Sequence, residues 1–122
     1  MYRLELEIHD RPRIMSNGSH GNWRAVAAEK RKWHQIMQDA VITSRNIPVQ
    51  PLKRAKCTFI RVSTRQPDDD NLRISFKTVR DALKKCGIIE DDSPEHMPDP
   101  IYLWERGAAN DKRIKVIVEE AA

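Results

Sequence analysis

Between Tyr2 and Ile8 the chain alternates strictly. Tyr2, Leu4, Leu6 and Ile8 are apolar, and the intervening Arg3, Glu5 and Glu7 are charged. A period of two places the two kinds of side chain on opposite faces of an extended backbone. The segment is therefore a half-buried strand, and its sheet is stable only if something apolar covers one face.

Two segments have the pattern of such a cover. Trp23 to about Arg45 reads as a long helix, with Val26, Trp33, Ile36, Met37, Ala40 and Val41 on its apolar face and Asn22 as N-cap. From about Asn71 to Cys86, Leu72, Phe76, Val79 and Leu83 fall at i, i+4, i+7 and i+11, and Gly87 follows as the C′ residue. Further alternating runs at Lys56–Ser63, Ile101–Glu105 and Arg113–Glu119 read as strands, with Arg106–Asp111 and its Gly107 linking the last two as in a hairpin. Residues 11–22, the region of Pro48 and Pro51, and Glu90–Pro100 read as loops.

The order β-α-β-α-β-β predicts an α/β (α+β) fold of two layers, a mixed sheet with two helices packed on it. A length of 122 residues suits one domain spanning 1–122, and an apolar share of 39% makes a modest core that favours a dimer.

The formal net charge of +4 conceals a division. Residues 1–66 hold 13 Lys/Arg and 5 Asp/Glu, whereas residues 67–122 hold 9 and 13. A basic half beside an acidic half suits a protein that grips phosphates with one surface and holds cations with another. Arg11, Arg13, Asn17, Arg24, Lys30 and Arg31 form the expected DNA-contacting set, with Trp23 and Trp33 assigned to the core by helical phase. Cys57 and Cys86 form no C-x-x-C pair and read as free thiols of a reducing compartment. No apolar run approaches the roughly 20 residues that a spanning helix needs, so a cytoplasmic protein with no membrane association is expected. There is no Gly-rich phosphate loop, which disfavours a nucleotide cofactor, and no recognisable nucleophilic triad.

Asp68-Asp69-Asp70-Asn71 opens the second helix, and Asp91-Asp92 follows its end. One acid is enough to cap a helix; three in a row repel one another and leave two unexplained. Asp68 and Asp70 point the same way in extended backbone, and magnesium is commonly held by one or two carboxylates with water and phosphate. A continuous helix of about 16 residues is about 24 Å long, so the two acidic groups meet only if the chain runs back along it after Gly87.

The run Asp68-x-Asp70-Asn71-Leu72, then Lys77-x-x-x-Asp81-Ala82-Leu83, Gly87 and Asp91-Asp92, resembles the RusA-type Holliday junction resolvases. The resemblance covers residues 68–92; the flanking elements agree in order only. It implies a homodimeric, magnesium-dependent endonuclease that resolves four-way DNA junctions in recombination and repair. Carried over, the metal carboxylates are Asp68, Asp70 and Asp92, with Asp91 as the alternative to Asp92, and the essential lysine is Lys77. Asn71 shapes the turn. The family places its lysine four residues after the second acid; here Lys77 is seven after Asp70 and four before Asp81. That spacing implies three extra residues near Arg73-Ile74-Ser75 and makes Arg73 a substitute for the lysine role. A non-cleaving DNA-binding protein and a nuclease acting on other branched or duplex DNA are the alternatives.

Overall fold

The computed structural model describes residues 1–13 and 23–121. Four strands and three helices follow in the order β1 (Arg3–Ile8), α1 (Trp23–Ser44), β2 (Ala55–Ser63), α2 (Asp69–Ser75), α3 (Lys77–Lys85), β3 (Ile101–Arg106) and β4 (Arg113–Glu120). The strands form one mixed sheet in the order β1-β4-β2-β3. β4 runs antiparallel to both β1 and β2, and β2 and β3 are parallel. The α+β two-layer expectation holds, while the expected Asn22 cap and residues 14–22 of the expected loop lie outside the described residues.

The strand periodicity builds one apolar face. Leu6, Val116, Phe59 and Tyr102 stand in register across all four strands. Leu4, Val118 and Cys57 form a parallel row, as do Ile8, Ile114, Arg61 and Trp104. The helices cover this face with Trp33, Met37 and Val41 of α1 and Leu72, Phe76, Val79 and Leu83 of α2 and α3, all buried. Each such side chain contributes about 1.5–3 kcal/mol relative to exposure. The second apolar stripe of the sequence is thus core. On α1, Val26 is exposed, and Trp23, assigned to the core by its phase, is 69% exposed: it begins the helix, beyond the reach of the sheet, whereas Trp33 is fully buried.

Two expectations are corrected. The helix read as continuous from Asn71 to Cys86 is broken at Phe76, whose φ of −92° and ψ of 4° leave the helical range. Leu72 O would accept from the Phe76 N–H in a regular helix, but the Ser75 hydroxyl donates to it at 2.7 Å, and the Phe76 N–H turns to Arg73 O at 3.3 Å. The break lies directly after Arg73-Ile74-Ser75, where the resemblance leads one to expect three extra residues. Phe76 is fully buried, with its ring 5.3 Å from Phe59 and 6.2 Å from Tyr102.

The second correction concerns β3 and β4, which do not pair as a hairpin: β2 lies between them. Their connection steps over the end of β2, where the Gly107 N–H donates to Ser63 O at 3.0 Å. A Cβ on Gly107 would stand 2.5 Å from Val62 Cγ1, so the residue read as a turn glycine instead allows a close crossing. Gly87 behaves as expected, with φ of 78° after the Cys86 C-cap.

Gly107→Ala is expected to cost about 1–3 kcal/mol by overpacking against Val62, measured as a lower urea midpoint. An unchanged midpoint would show that the crossing has room to relax.

Candidate functional site

Asp68 is the N-cap of α2. Its backbone is extended, and its Oδ1 accepts from the Asn71 N–H at 2.8 Å. Its Oδ2 accepts from Asn71 Nδ2 at 3.2 Å. Asn71 therefore shapes the turn, as expected, and both oxygens of Asp68 are engaged locally. Asp69 and Asp70 occupy the first turn, exposed, where their charge suits the helix dipole. Asp70 makes no hydrogen bond or ion pair through its side chain among the described residues.

The chain after Gly87 turns beside residue 52. The Leu52 N–H donates to Ile88 O at 2.9 Å, and the Glu90 N–H donates back to Leu52 O at 2.9 Å. This is the strand-like step expected of Ile88-Ile89. It brings Asp91 to Lys84, whose Nζ is 3.1 Å from Asp91 Oδ1. That contact, followed by the Asp92 N–H at 2.9 Å, holds the Asp91 carboxyl below the usual carboxylate range. Asp91 is thus anchored in the last turn of α3, while Asp68 and Asp70 open α2.

The donor chemistry of Asp68, Asp70, Asp91 and Asp92 fits magnesium, which prefers hard oxygen ligands. The geometry does not pre-assemble them: among the described residues no group of three or more His, Cys, Asp or Glu side chains is placed to share a metal ion.

The two candidates for the lysine role differ in commitment. The Arg73 guanidinium lies 5.4 Å from the centre of the Tyr102 ring; that of Arg80 lies 5.8 Å from it and donates to the Tyr102 hydroxyl at 2.7 Å. Lys77, exposed at the start of α3, makes no ion pair among the described residues. It is the freer cation.

Of the expected DNA-contacting residues, Asn17 lies outside the described residues. Arg24 stacks on the exposed Trp23 ring at 5.3 Å, and Arg31 is exposed. Lys30 reaches Asp81 at 3.4 Å, so its charge is partly spent inside the fold. The Arg13 N–H donates to Glu29 Oε1, which also accepts from Trp33 Nε1 at 3.0 Å. Arg11 reaches the end of β2, 3.5 Å from Val62 O.

Three groups escaped the sequence reading. Asp81 accepts from His34 Nε2 at 2.8 Å and ties α3 to α1. Tyr102 gathers two arginines. Arg61 is buried on the apolar face of β2; its position two residues after Phe59 and four after Cys57 was the signal, a charge in phase with the core. An open groove of about 630 Å³, lined in part by Tyr2, Ile47, Pro51 and Glu120, lies at the other end of the sheet and holds none of the proposed site residues. No family model matches the chain, and no curated protein matches it.

Burial raises the Asp81 carboxyl, but the bond to His34 and the charge of Lys30 outweigh it and hold the pKa below normal. Such a group stabilises the fold above its unfolded pKa of about 4, and that stability is lost as pH falls through the folded value. Asp81→Asn is expected to lower stability by about 1 kcal/mol at neutral pH and to flatten the loss between about pH 5 and about pH 3. Urea unfolding across that range checks both; parallel wild-type and variant curves would refute the coupling.

Proposed function

We propose that this protein is a magnesium-dependent, structure-specific endodeoxyribonuclease that resolves four-way DNA junctions by paired nicks. The observation that carries the reading is the position of the acidic turn. α2 leaves the carboxyl end of β2, so Asp68 and Asp70 follow closely on the end of the sheet where Arg11, Arg61, Arg65 and Arg106 lie. In open α/β sheets ligands bind outside the carboxyl ends of the parallel strands, and the one parallel pair of this sheet, β2 and β3, ends here. Carboxylates beside unpaired guanidiniums suit a phosphodiester and a divalent ion together.

Asp68, Asp70 and Asp92 are the carboxylates that would hold magnesium, with Asp91 as the alternative. When bound, the ion supplies an activated water and neutralises charge on the phosphate. Lys77 adds positive charge near the acidic turn. Trp23 and Arg24 offer an exposed stacking surface, and Arg31 a backbone contact. A second copy, in a homodimer, would present an equivalent site to the opposed strand; Ile101 and Leu103, exposed on the uncovered face of the sheet, favour association. Among the described residues no helix is long and apolar enough to cross a membrane, and both cysteines are free, which is compatible with the cytoplasmic setting of such an enzyme.

A second reading has its own support. Asp68 is engaged by Asn71 and Asp91 by Lys84, which suits a protein that binds branched DNA without cutting it.

A synthetic four-way junction separates the two. With magnesium, symmetric paired nicks are expected, and Asp70→Asn should abolish cutting while binding in chelator persists. Lys77→Ala should lose at least about tenfold in rate, with Arg73→Ala losing less. Binding without nicks in the wild type supports the second reading, and undiminished cutting by Asp70→Asn refutes the site.

A further inference from the structure

The carboxyl end of β2 carries a charge that its surroundings leave uncompensated. Arg61 shares the apolar face of β2 with Cys57 and Phe59, between Ile114 of β4 and Trp104 of β3. It is 9% exposed. Its guanidinium donates through Nη1 to Pro12 O at 2.9 Å, a neutral acceptor that uses one of five N–H donors. Arg11 lies close by, with Nη1 3.5 Å from Val62 O. Burial, and after it the charge of Arg11, lowers the pKa of Arg61.

Among the described residues neither arginine has an ion-pair partner. Of the acids near this end, Glu29 meets Arg61 only through the Pro12–Arg13 peptide, accepting from the Arg13 N–H at 2.9 Å, and two others are engaged elsewhere. Asp10 pairs with Lys32 at 3.2 Å and accepts from the Arg11 N–H. Asp111 is held by two bonds from Arg113, at 3.0 and 3.2 Å. Residues 14–22, next along the chain, include no Asp or Glu. Desolvating one guanidinium is costly, and a second cation beside it adds to that cost. The missing partner must be anionic and suited to forked donors, which describes a phosphate. The same strand end carries Trp104, which donates to Ser63 Oγ at 2.9 Å and bears Arg106 at 5.9 Å from its ring centre.

We propose that Arg61 and Arg11 form a phosphodiester-binding subsite at the carboxyl end of β2, separate from the carboxylates of the acidic turn. This inference rests on the reading of the protein as one that binds DNA, and it assigns the subsite to the backbone beside the scissile phosphate.

The test uses the full chain in chelator, with inorganic phosphate as the first probe. Against chloride at equal ionic strength, phosphate at about ten times its Kd should raise the thermal midpoint by about 5 °C. Arg61→Met should abolish this response and, without phosphate, be at least as stable as the wild type, because an unpaired buried cation has been removed. Arg61→Lys, which keeps charge but loses the fork, should respond only weakly. Arg11→Gln should weaken the response and decides the matter if Arg61→Met does not fold. Lys56→Met, about 17 Å away at the other end of β2, should respond like the wild type.

The second probe is a four-way junction. The slope of log K against log salt should become shallower by about 1 for Arg61→Met and for Arg11→Gln. A full phosphate response in both variants overturns the subsite, whatever happens to cleavage. A lost phosphate response with an unchanged DNA slope overturns the assignment to a phosphodiester. If both readouts move as expected but the wild type never cuts, the subsite stands and the nuclease reading fails.

Discussion

Phe76 organises the part of the molecule that matters most for function. It is fully buried between Phe59 of the sheet and Tyr102 of the edge strand, and it interrupts the helix in which it lies. A straight helix from Asp69 to Lys85 would hold one direction over its whole length. The interruption lets α2 and α3 lie separately on the sheet while Leu72, Val79 and Leu83 all remain buried. It therefore sets the direction in which the acidic first turn of α2 points, and it starts α3 at Lys77. The orientation of the proposed site depends on a hydrophobic contact rather than on its charges.

The charges are arranged around that contact in two ways. Some are spent on structure: Asp81 joins His34 and Lys30, Asp91 joins Lys84, and Arg113 joins Asp111 and Glu7. Others lack an ion-pair partner among the described residues, Arg11, Arg31, Arg61, Arg73, Lys77 and Arg80 among them. The imbalance of the sequence, basic early and acidic late, is therefore only partly cancelled by pairing across the fold. Exposed pairs such as Lys84–Asp91 contribute little to stability; the position of Asp91 beside the last turn of α3 is set by the backbone bonds of Ile88 and Glu90 to Leu52.

Patterns of period two and 3.6 were legible because each reports one covered face, and the observed strands lie within a residue or two of those read from Tyr2–Ile8, Lys56–Ser63, Ile101–Glu105 and Arg113–Glu119. Pairing was not legible. A six-residue link between two strands has the length of a hairpin, and nothing in Arg106–Asp111 reveals that β2 lies between them. The reason becomes visible only as the close approach of Gly107 to Val62. The helix break was hidden for a similar cause: Ser75 is an ordinary residue until its hydroxyl takes the carbonyl that Phe76 would have used. For the site, the acids and Lys77 were evident as residue types in order. The distance between Asp70 and Asp92 was not, because it depends on the break and on the path taken after Gly87.

Arg61 shows how the two kinds of information combine. In the sequence it alternates with Ile60 and Val62 and shares its phase with Cys57 and Phe59, and the alternation alone does not say which of the two phases faces the core. In the fold, Ile60 and Val62 at the carboxyl end of β2 are buried as well, whereas Lys56 and Thr58 on the same face are not, and the charge sits in the helix-covered layer at that end. A strand flanked on both sides by others can carry a buried cation without losing its ladder bonds, because those belong to the backbone. The cost of the cation falls on its solvation, and in the folded protein a carbonyl and a neighbouring arginine do not repay it. An apolar residue of similar size would pack there at less cost. The proposed subsite is the arrangement in which that cost would be offset.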